Sequence, residues 1–572
     1  MARSNDEVAA LLQEYADLLA ITGGDAFRVR AYERAARAVR GHQGEVSALD
    51  AGALRRIPNV GSSIADKITE YLRTGQVPAV EEARSRIPAG VRELTRVPGL
   101  GPKRALILHE ELGVTSVDEL GRAVHEGRLR DLKGFGGRTE ENLLHGIALV
   151  QQAGDRLRLG AATDLAEKLV AALSAVPGCE RCAFAGSLRR MRESIGDLDI
   201  LAAAEHPEPV MEAFTRLPQT GEILVHGRKK TSVRTTGGVQ VDLRVLPPDS
   251  WGAGLQYFTG SRAHNIRLRE IAGRRGLRLS EYGLHDAETG ERVVSLREEE
   301  VYDRLGLPWI PPPLREDRGE IQAALRGELP EPVTLSDIRG DLHTHTDLTD
   351  GLAPLEAMVA AAADRGYSYY AVTDHAPDLT MQRMTDEKIL AQRERVRELD
   401  GKHRSMRLLH GTELNIGPEG EVDWPAGFLA GFDLCVASVH SHFRQSREAL
   451  TRRLVRACEN PHVHIIGHPT TRKLGRRPGI DADFDAVFAA CARTGTALEV
   501  NGHPDRLDLG DEDIRRARRH GVKFAIDSDS HAVTDLAHMR FGVGTAQRAG
   551  LTKDDVINTW PPARLRRFLR KH

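Results

Sequence analysis

The stretch DLHTHTDLTDG, residues 341–351, places two histidines on alternate positions of a predicted strand, with two carboxylates close behind. Residues two apart in a strand point to the same side, so His343 and His345 share one face. Imidazole and carboxylate groups are common ligands of transition metals. The stretch therefore predicts a metal site, at the start of a separate domain.

Six further apolar runs of this kind follow, each ending in a polar cluster and each leading into a helical stretch. The seven runs are IRGDLHTH, YSYYAVTDH, MRLLHGTEL, FDLCVASVHSH, VHIIGHP, TALEVNGHP and VKFAIDSDSH. Strands that alternate with helices predict a parallel, closed or nearly closed sheet, a distorted (β/α)7 barrel with its chemistry at the carboxyl ends.

The predicted metal ligands lie at these strand ends. They are His343, His345, Asp350, His375, Glu413, His440, His468, Asp529 and His531. Nine mixed imidazole and carboxylate ligands suit up to three ions, and Mn²⁺ or Zn²⁺ is expected. A single buried histidine is more often an ordinary core residue, but that reading does not explain polar clusters at seven strand ends. Asp527, His442, His464 and His503 are expected to be outer partners of the ligands.

Length and composition limit the remaining possibilities. With 572 residues, the chain should form about three to five domains. The formal charge of -2 means that binding to a polyanion requires local basic patches. Five cysteines form no paired framework and are expected to be reduced thiols of a cytosolic protein. No window approaches 18 uninterrupted apolar residues, so we expect neither secretion nor a membrane span.

Three segments before residue 150 share one pattern, an apolar residue, a tight glycine turn and a helix. They are IPNVGSSIADKI (57–68), VPGLGPKRALIL (97–108) and LKGFGGRTEENLL (132–144). Such turns resemble the helix-hairpin-helix motif, whose backbone amides grip a DNA phosphate without reading sequence. An ordinary turn between two helices would explain a single copy equally well. Three copies favour the helix-hairpin-helix motif. The predicted DNA-binding residues are Gly61, Gly99, Gly101, Lys103, Gly134 and Gly136, with Arg138 beside the third turn.

A carboxylate triad is predicted between residues 160 and 250, where short β-type runs replace the helical pattern. In GDLDIL, Asp197 and Asp199 share a strand face, and Asp242 in VDLRV can join them from a neighbouring strand. Three carboxylates on one face repel one another, and a pair of Mg²⁺ ions would resolve that repulsion. In FAGSLRR, Gly186 and Ser187 supply a small turn for a triphosphate, and Arg190 adds positive charge.

This middle region resembles the nucleotidyltransferase palm of X-family DNA polymerases, and WGAGLQYFTGSRAHN resembles the thumb of that family. The resemblance implies that Tyr257 and Phe258 lie against the sugar of the nucleotide, that Gly260 leaves room for it, and that Asn265 reaches the minor-groove edge. Arg262 stands where eukaryotic members carry an acid, so nucleotide selection is expected to differ.

The hairpins match the lyase-like and fingers subdomains of the same family. Lys67 aligns with the Schiff-base lysine of lyase-competent members, which makes it a possible lyase residue. Ser63 replaces a supporting lysine, and the upstream basic cluster is Arg28 and Arg30, so lyase activity stays open. A solvated surface lysine is the alternative reading of Lys67.

The last 235 or so residues resemble the polymerase and histidinol phosphatase (PHP) domain, whose motifs HTHT, TDH, GTEL, SVHSH, GHP and DSDSH occur in order. The resemblance implies that the nine ligands hold the ions, that the glutamate bridges them, and that a phosphoester is hydrolysed. Arg472 and Arg506 are expected to stabilise the phosphate charge.

The whole chain thus resembles bacterial X-family polymerases, with the following expected boundaries: 1–80 lyase-like helical domain, 81–155 fingers, 156–250 palm, 251–315 thumb, 316–337 linker and 338–572 PHP barrel. The expected function is filling of short gaps in DNA repair, with Mg²⁺ in the palm and 3′-end processing in the PHP site. Gapped or nicked DNA and dNTPs are the expected partners of a cytoplasmic, nucleoid-associated monomer. The alternatives are a histidinol-phosphatase-type hydrolase with an inactive polymerase, or a non-catalytic repair scaffold.

Overall fold

The structure is a computed structural model in which three kinds of architecture follow one another along the chain. It describes residues 5–22, 25–42, 44–95, 97, 100–130, 132, 135, 140, 143–144, 146–147, 150, 156–379, 384–403 and 405–571, and for 6, 89, 92, 93, 102 and 103 the backbone alone. Helical modules come first, an α+β palm with a thumb follows, and a parallel seven-stranded barrel ends the chain. The predicted fold class is confirmed.

The N-terminal part is helical and shares one apolar core. Its helices are Asn5–Ile21, Ala26–Arg40, Ala51–Leu54, Ser62–Thr74, Pro78–Ser85, Ala89–Leu94, Pro102–Leu112 and Val117–His125. Buried side chains of this core run from Val8 to Ile147, so the two predicted helical domains pack together. Helix ends follow local chemistry: Gly75 and Gly113, both left-handed, cap two of the helices.

The palm is a five-stranded sheet in the order β2-β4-β7-β6-β5. Its strands are β2 (Arg181–Phe184), β4 (Asp197–Ala203), β5 (Thr220–His226), β6 (Lys230–Thr235) and β7 (Gln240–Leu246), with β1 (Leu157–Arg158) pairing β3 (Ser194–Ile195) beside it. Helices Leu159–Ser174, Gly186–Arg189 and Glu208–Thr215 accompany these strands. Strands β4 and β7 run parallel, which sets the two carboxylate-bearing runs side by side.

The thumb is fastened to the palm by a buried ion-pair network. Helices Trp251–Thr259, Arg262–Arg274 and Glu298–Arg304 pack with β8 (Leu277–Ser280), β9 (Gly283–Asp286) and β10 (Arg292–Val294). Arg315, fully buried, donates to Glu298 at 2.6 Å, and Arg189 of the palm reaches the same carboxylate at 2.7 Å.

Residues 316–337, predicted as a linker, pack against both neighbours. The segment contains helix Glu320–Leu325, and Glu320 lies 2.7 Å from the buried ring of His264 in the thumb. Glu316 pairs with Arg548 of the barrel at 2.8 Å.

The barrel consists of seven strands in consecutive order, β11 to β17. They are β11 (Gly340–Asp341), β12 (Tyr369–Val372), β13 (Arg407–Asn415), β14 (Leu434–Ser438), β15 (Ile465–Ile466), β16 (Ala497–Asn501) and β17 (Phe524–Asp527). The accompanying helices are Leu355–Asp364, Asp386–Asp400, Ala426–Leu429, Arg447–Glu459, Phe484–Thr494, Asp511–Arg519, Met539–Ala549 and Pro562–Leu569. A parallel bridge between Thr344 and Ser530 brings the first and last strand ends together. Burial on both faces explains the continuous apolar runs.

The barrel is joined to the palm and to the N-terminal helices. Leu507 and Phe541 of the barrel belong to the apolar core of the palm. Arg472 donates to Glu193 of the palm at 2.7 Å. Thr534 donates to the Gly41 carbonyl at the end of the second helix. Among the described residues, we find no helix whose length and apolar character would let it cross a membrane.

The Glu298 network generates a stability prediction. Burial opposes its charge, but Arg189 and Arg315 lower the pKa of Glu298 from 4.5 to about 2. A depression of that size corresponds to about 3 kcal/mol, present above pH 4.5 and lost as the pH falls towards 2. We expect Glu298→Gln to lower the thermal midpoint of the palm and thumb by roughly 6 to 12 °C at pH 7.

The control is Glu299→Gln, on the same helix but exposed, which should unfold like the parent. Calorimetry at pH 7, 5 and 3 should also show that the difference between the Glu298 variant and the parent shrinks on acidification. Equal midpoints of the two variants at pH 7 would contradict the prediction.

Candidate functional sites

Glu413 is the centre of the predicted metal site. Its side chain is 1% exposed, and it lies near the end of β13 among five imidazoles that follow four other strands. One carboxylate oxygen lies 3.0 Å from His468 and 3.1 Å from His440, and the other lies 2.9 Å from His375. Burial disfavours the charged carboxylate, but His440, His375 and His343 hold the pKa of Glu413 well below its usual range.

The predicted ligands form three overlapping groups. Within each group, the ligand atoms lie within 4.8 Å of one another. The groups are His345, Asp350, His375 and His531; His343, His345 and Asp529; and His375, Glu413 and His440. His468 joins through Glu413. These nine residues form what we call the metal ring. Buried nitrogens of His345 and His468 lack a hydrogen-bond partner among the described atoms, which fits a site that a cation completes.

The palm carboxylates also come together. Asp199 on β4 is the direct cross-strand neighbour of Asp242 on β7, and Asp197 lies two residues before Asp199 on the same face. Burial, reinforced by Asp197 and Asp242, raises the pKa of Asp199 to about 7. Mutual repulsion of this kind is relieved by a divalent cation, so the three carboxylates fit a magnesium site.

A lysine already pairs with one of these carboxylates. Lys230 on β6 places its Nζ 2.5 Å from Asp242 Oδ2. Burial would raise the pKa of Asp242, but hydrogen bonds from Lys230, Ser232 and Gln240 lower it. The sequence pattern gave no sign of Lys230, because its partner is 12 residues away on a neighbouring strand.

The predicted nucleotide-binding turn lies beside the triad. Gly186 has φ +57° and begins helix Gly186–Arg189, and a side chain there would collide with Asp199. Ser187 follows in the first turn of that helix. Arg190 differs from the expectation, because its guanidinium pairs with Glu316 at 3.0 Å and donates to the Thr259 carbonyl at 2.8 Å. It fastens the thumb in this structure instead of pointing to an open nucleotide site.

The thumb residues fall at the end of helix Trp251–Thr259. Tyr257 and Phe258 are half-buried and in edge-to-face contact, and Arg244 of the palm stacks on Phe258. Gly260 has no room for a side chain because Asn265 stands against it. The Asn265 amide donates to the Tyr257 carbonyl at 2.6 Å, so in this structure it points inwards and not towards a minor groove.

Two of the predicted hairpin turns are described in part. Gly61 caps helix Ser62–Thr74, and Gly101 caps helix Pro102–Leu112. A Cβ added at either glycine would meet none of the other described atoms within 4 Å, so no described side chain blocks a phosphate at these helix ends. Predicted residues Gly99, Gly134, Gly136 and Arg138 and the Lys103 side chain lie outside the described residues.

Lys67 sits one turn into the first of these helices. Its ammonium donates to Ser63 Oγ at 3.1 Å and lies 5.9 Å from the centre of the Tyr32 ring. Ser63, which replaces the supporting lysine, is thus a direct neighbour of the predicted lyase residue.

Comparison with known proteins covers the whole chain. Residues 3–77 match the helix-hairpin-helix domain, 91–148 the SAM-like helix-hairpin-helix tandem, 254–316 the DNA polymerase beta thumb and 341–503 the PHP domain. The protein named "DNA polymerase/3'-5' exonuclease PolX" from Bacillus subtilis strain 168 is 34% identical over 569 residues, which cover 99% of each chain. The chain belongs to the PolX family.

Other relatives of this PolX-family chain match a smaller part of it. A protein named "Probable phosphatase" from Thermoanaerobacter sp. strain X514 is 29% identical over 231 residues, 38% of this chain and 89% of its own length. One of the same name from Syntrophotalea carbinolica is 30% identical over 230 residues, 38% of this chain and 90% of its own.

The residues expected as outer partners have different positions. His503 is half-buried next to His538, with ring centres 5.2 Å apart. His464 and Asp527 belong to backbone hydrogen-bond networks: His464 contacts the Leu569 carbonyl and Asp527 accepts from the Leu342 amide. His442 is exposed.

Arg472 and Arg506, the two arginines expected near the phosphate, have different surroundings. Arg506 lies 3.4 Å from Asp529 of the metal ring. Arg472 turns away, donating to Glu193 of the palm and to the Arg506 carbonyl. Arg472 therefore holds the domain boundary rather than a phosphate.

Outer partners that the sequence analysis missed orient the ring. Glu499 Oε1 lies 2.7 Å from His343 Nδ1, and its other oxygen accepts from the His468 amide at 2.5 Å. Asn415 lies 2.7 Å from His440 Nδ1, and Asn501 donates to Asp529 at 3.0 Å. The alternation in LEVN, which puts Glu499 and Asn501 on one face, could have revealed them.

We expect Glu499→Gln to weaken Mn²⁺ binding to the metal ring by 10- to 100-fold, within the usual range for loss of an outer carboxylate. The physical reason is that Glu499 holds the Nδ1 proton of His343 and thereby leaves Nε2 free for a metal. Titration calorimetry of the metal-free protein measures the affinity without any substrate. The matched control is Glu459→Gln, an exposed residue on helix Arg447–Glu459. Identical Mn²⁺ isotherms for parent and Glu499 variant would refute the assignment.

Proposed function

We propose that this PolX-family chain is a DNA-directed DNA polymerase that fills short gaps during repair and also processes DNA 3′ ends in its PHP domain. One observation supports the proposal: the chain holds two separate groups of residues whose chemistry suits metal ions, the triad on β4 and β7 and the metal ring of the barrel. The B. subtilis relative is named for both a polymerase and a 3′-5′ exonuclease.

In the palm, we propose Asp197, Asp199 and Asp242 as the holders of Mg²⁺. The bound ions would supply charge stabilisation for both the attacking and the leaving oxygen of a nucleotidyl transfer. Gly186 and Ser187 offer a small turn beside the triad, where a triphosphate can approach the backbone. Tyr257, Phe258 and Gly260 lie at the helix end where the sugar would rest.

Asn265 and Arg190 would act after a rearrangement of the thumb. Both are engaged in hydrogen bonds across the palm and thumb in the present arrangement. Release of Arg190 from Glu316 and of Asn265 from the Tyr257 carbonyl would free one group for the triphosphate and the other for the minor-groove edge.

In the PHP domain, we propose that the metal ring holds up to three Mn²⁺ or Zn²⁺ ions and hydrolyses phosphoesters at DNA 3′ ends. The reaction is 3′-5′ exonuclease, 3′-phosphatase or abasic endonuclease chemistry. Glu413 holds imidazoles on both of its oxygens, a position from which it can bridge two ions. Arg506, beside Asp529, adds positive charge at the rim.

DNA binding is proposed to begin with the hairpin turns. The helix N-termini that follow Gly61 and Gly101 suit the phosphate backbone of gapped or nicked duplex DNA. We place the enzyme in the cytoplasm with the nucleoid, acting as a monomer on dNTPs and DNA.

A second candidate is hydrolysis of a small phosphate ester such as histidinol phosphate. The observation that favours it is that relatives named "Probable phosphatase" match 38% of this chain over 89% and 90% of their own lengths. A comparison of turnover on histidinol phosphate and on a DNA 3′ end separates the two.

The two sites should be separable by mutation. We expect Asp197→Ala plus Asp199→Ala to lower dNTP incorporation on a one-nucleotide gap by at least 10³-fold, because the metal ligands are lost. The same variant should retain Mn²⁺-dependent 3′-end hydrolysis. A labelled gapped duplex, assayed with and without dNTP, reports extension and resection side by side.

The reciprocal variant is His343→Ala plus His345→Ala, which should lose 3′-end hydrolysis and retain extension. Each double variant thus controls for the folding of the other. Incorporation that survives loss of Asp197 and Asp199 would refute the polymerase assignment. Unchanged hydrolysis in the histidine variant would refute the assignment of the ring.

A further inference from the structure

A short basic hairpin, residues 471–477 (TRKLGRR), is built directly onto the metal ring. The Thr471 amide donates to the carbonyl of His468, one of the ring residues, at 2.8 Å. Lys473 and Arg477 then pair in an antiparallel bridge. On its far side, the hairpin is held by the Leu474 amide, which donates to the Asp505 carbonyl at 2.8 Å. The hairpin is therefore fixed in place beside the ring.

The basic hairpin concentrates like charges. Desolvation, followed by Arg506, Arg477 and Arg476, lowers the pKa of Lys473 to about 8. Arg477 stacks on Phe443, 4.2 Å from the ring centre. Within the part of the chain that the structure describes, neither Lys473 nor Arg476 forms an ion pair within 4 Å, and both are exposed. Cations that repel one another at this density favour the binding of an anion.

Two other domains bring cations to the same place. Arg158 of the palm is close enough to Arg476 and Arg40 for both to lower its pKa, after desolvation. Arg40 ends the second N-terminal helix, and a side chain at the next residue, Gly41, would meet Leu352 and Ala532. Those two residues flank Asp350 and His531 of the metal ring.

The described acids near these cations have partners: Glu193 pairs with Arg472 of the hairpin, and Asp508, which faces Arg477, accepts from Thr470. Asp505 pairs with Arg158, and Asp529 belongs to the ring itself. Asp17 on the first helix faces Arg476, which lowers the pKa of this otherwise raised carboxyl. The mouth of the ring is therefore lined by cations from the N-terminal helices, the palm and the barrel.

We propose that the basic hairpin binds the phosphodiester backbone of the DNA strand whose 3′ end lies in the metal ring. The inference rests on the proposed function and adds a binding site to it. A single small phosphate ester would be held inside the ring and would not reach Arg476, Arg158 and Arg40 outside it. A strand carries one charge per nucleotide and can contact all of these positions in turn.

The test uses the full-length double variant Lys473→Ala plus Arg476→Ala. Fluorescence anisotropy of a duplex with a 3′ single-stranded overhang, in chelator so that no hydrolysis occurs, gives the affinity over a range of salt. Loss of two phosphate contacts should flatten the plot of log affinity against log salt by about 1.4. In Mn²⁺, the KM for 3′-end hydrolysis should rise at least tenfold, with a smaller change in kcat.

The matched control is Lys402→Ala plus Arg519→Ala, which removes the same charge from exposed sites. Lys402 and Arg519 come before β13 and β17, at the opposite end of the barrel from the ring. This control should keep the parent salt slope and the parent KM.

An unchanged salt slope in the Lys473 and Arg476 variant would overturn the proposal. So would an equal loss of hydrolysis on bis(p-nitrophenyl) phosphate, a small diester that cannot span the hairpin, because it would indicate damage to the ring itself. If the parent hydrolyses no DNA, the proposed function fails, whereas the anisotropy measured in chelator still decides whether the hairpin binds a strand.

Discussion

A charged carboxylate buried among imidazoles governs the construction of the barrel. Glu413 is almost fully inaccessible to water, and such a group is costly unless partners of opposite charge surround it. Those partners come from separate strand ends, so the sheet must hold each strand in one register. A slip of one residue would turn a ligand from the inside of the barrel to the outside. The paired register of Glu413 with Val436 on β14 therefore fixes the chemistry as well as the fold.

The second constraint is the packing between the palm and the barrel, which carry the two proposed metal sites. Leu507 and Phe541 leave the barrel to complete the core of the palm, and Met191 of the palm fits against Gly544 of the barrel. A glycine is needed there, since the methionine side chain occupies the space of a Cβ. The palm and barrel thus share one packed boundary, which keeps the two proposed sites at a fixed separation in this structure.

Local sequence patterns predicted most of the fold, because they depend on neighbours in the chain. Alternation located Asp197 and Asp199, and repeated strand endings located the ring. Contacts between distant segments were beyond that kind of prediction. Arg190 meets Glu316, 126 positions away, and Arg472 meets Glu193, 279 positions away. The residues next to Arg190 and Arg472 in the sequence do not indicate which distant residue each arginine contacts. The packing of residues 316–337 was beyond local prediction for the same reason, since the partners of Glu316 and Glu320 lie in other domains.

The lysine beside the palm triad gives the proposed magnesium site a positive charge even when no metal is bound. Lys230 supplies Asp242 with a resident positive charge, so the sheet can assemble around its acids in a medium without magnesium. Binding of Mg²⁺ at the proposed palm site would then replace the Lys230 ammonium at Asp242 with the metal ion. The occupancy of the palm should accordingly follow a competition, in which the lysine sets the threshold concentration that magnesium has to exceed.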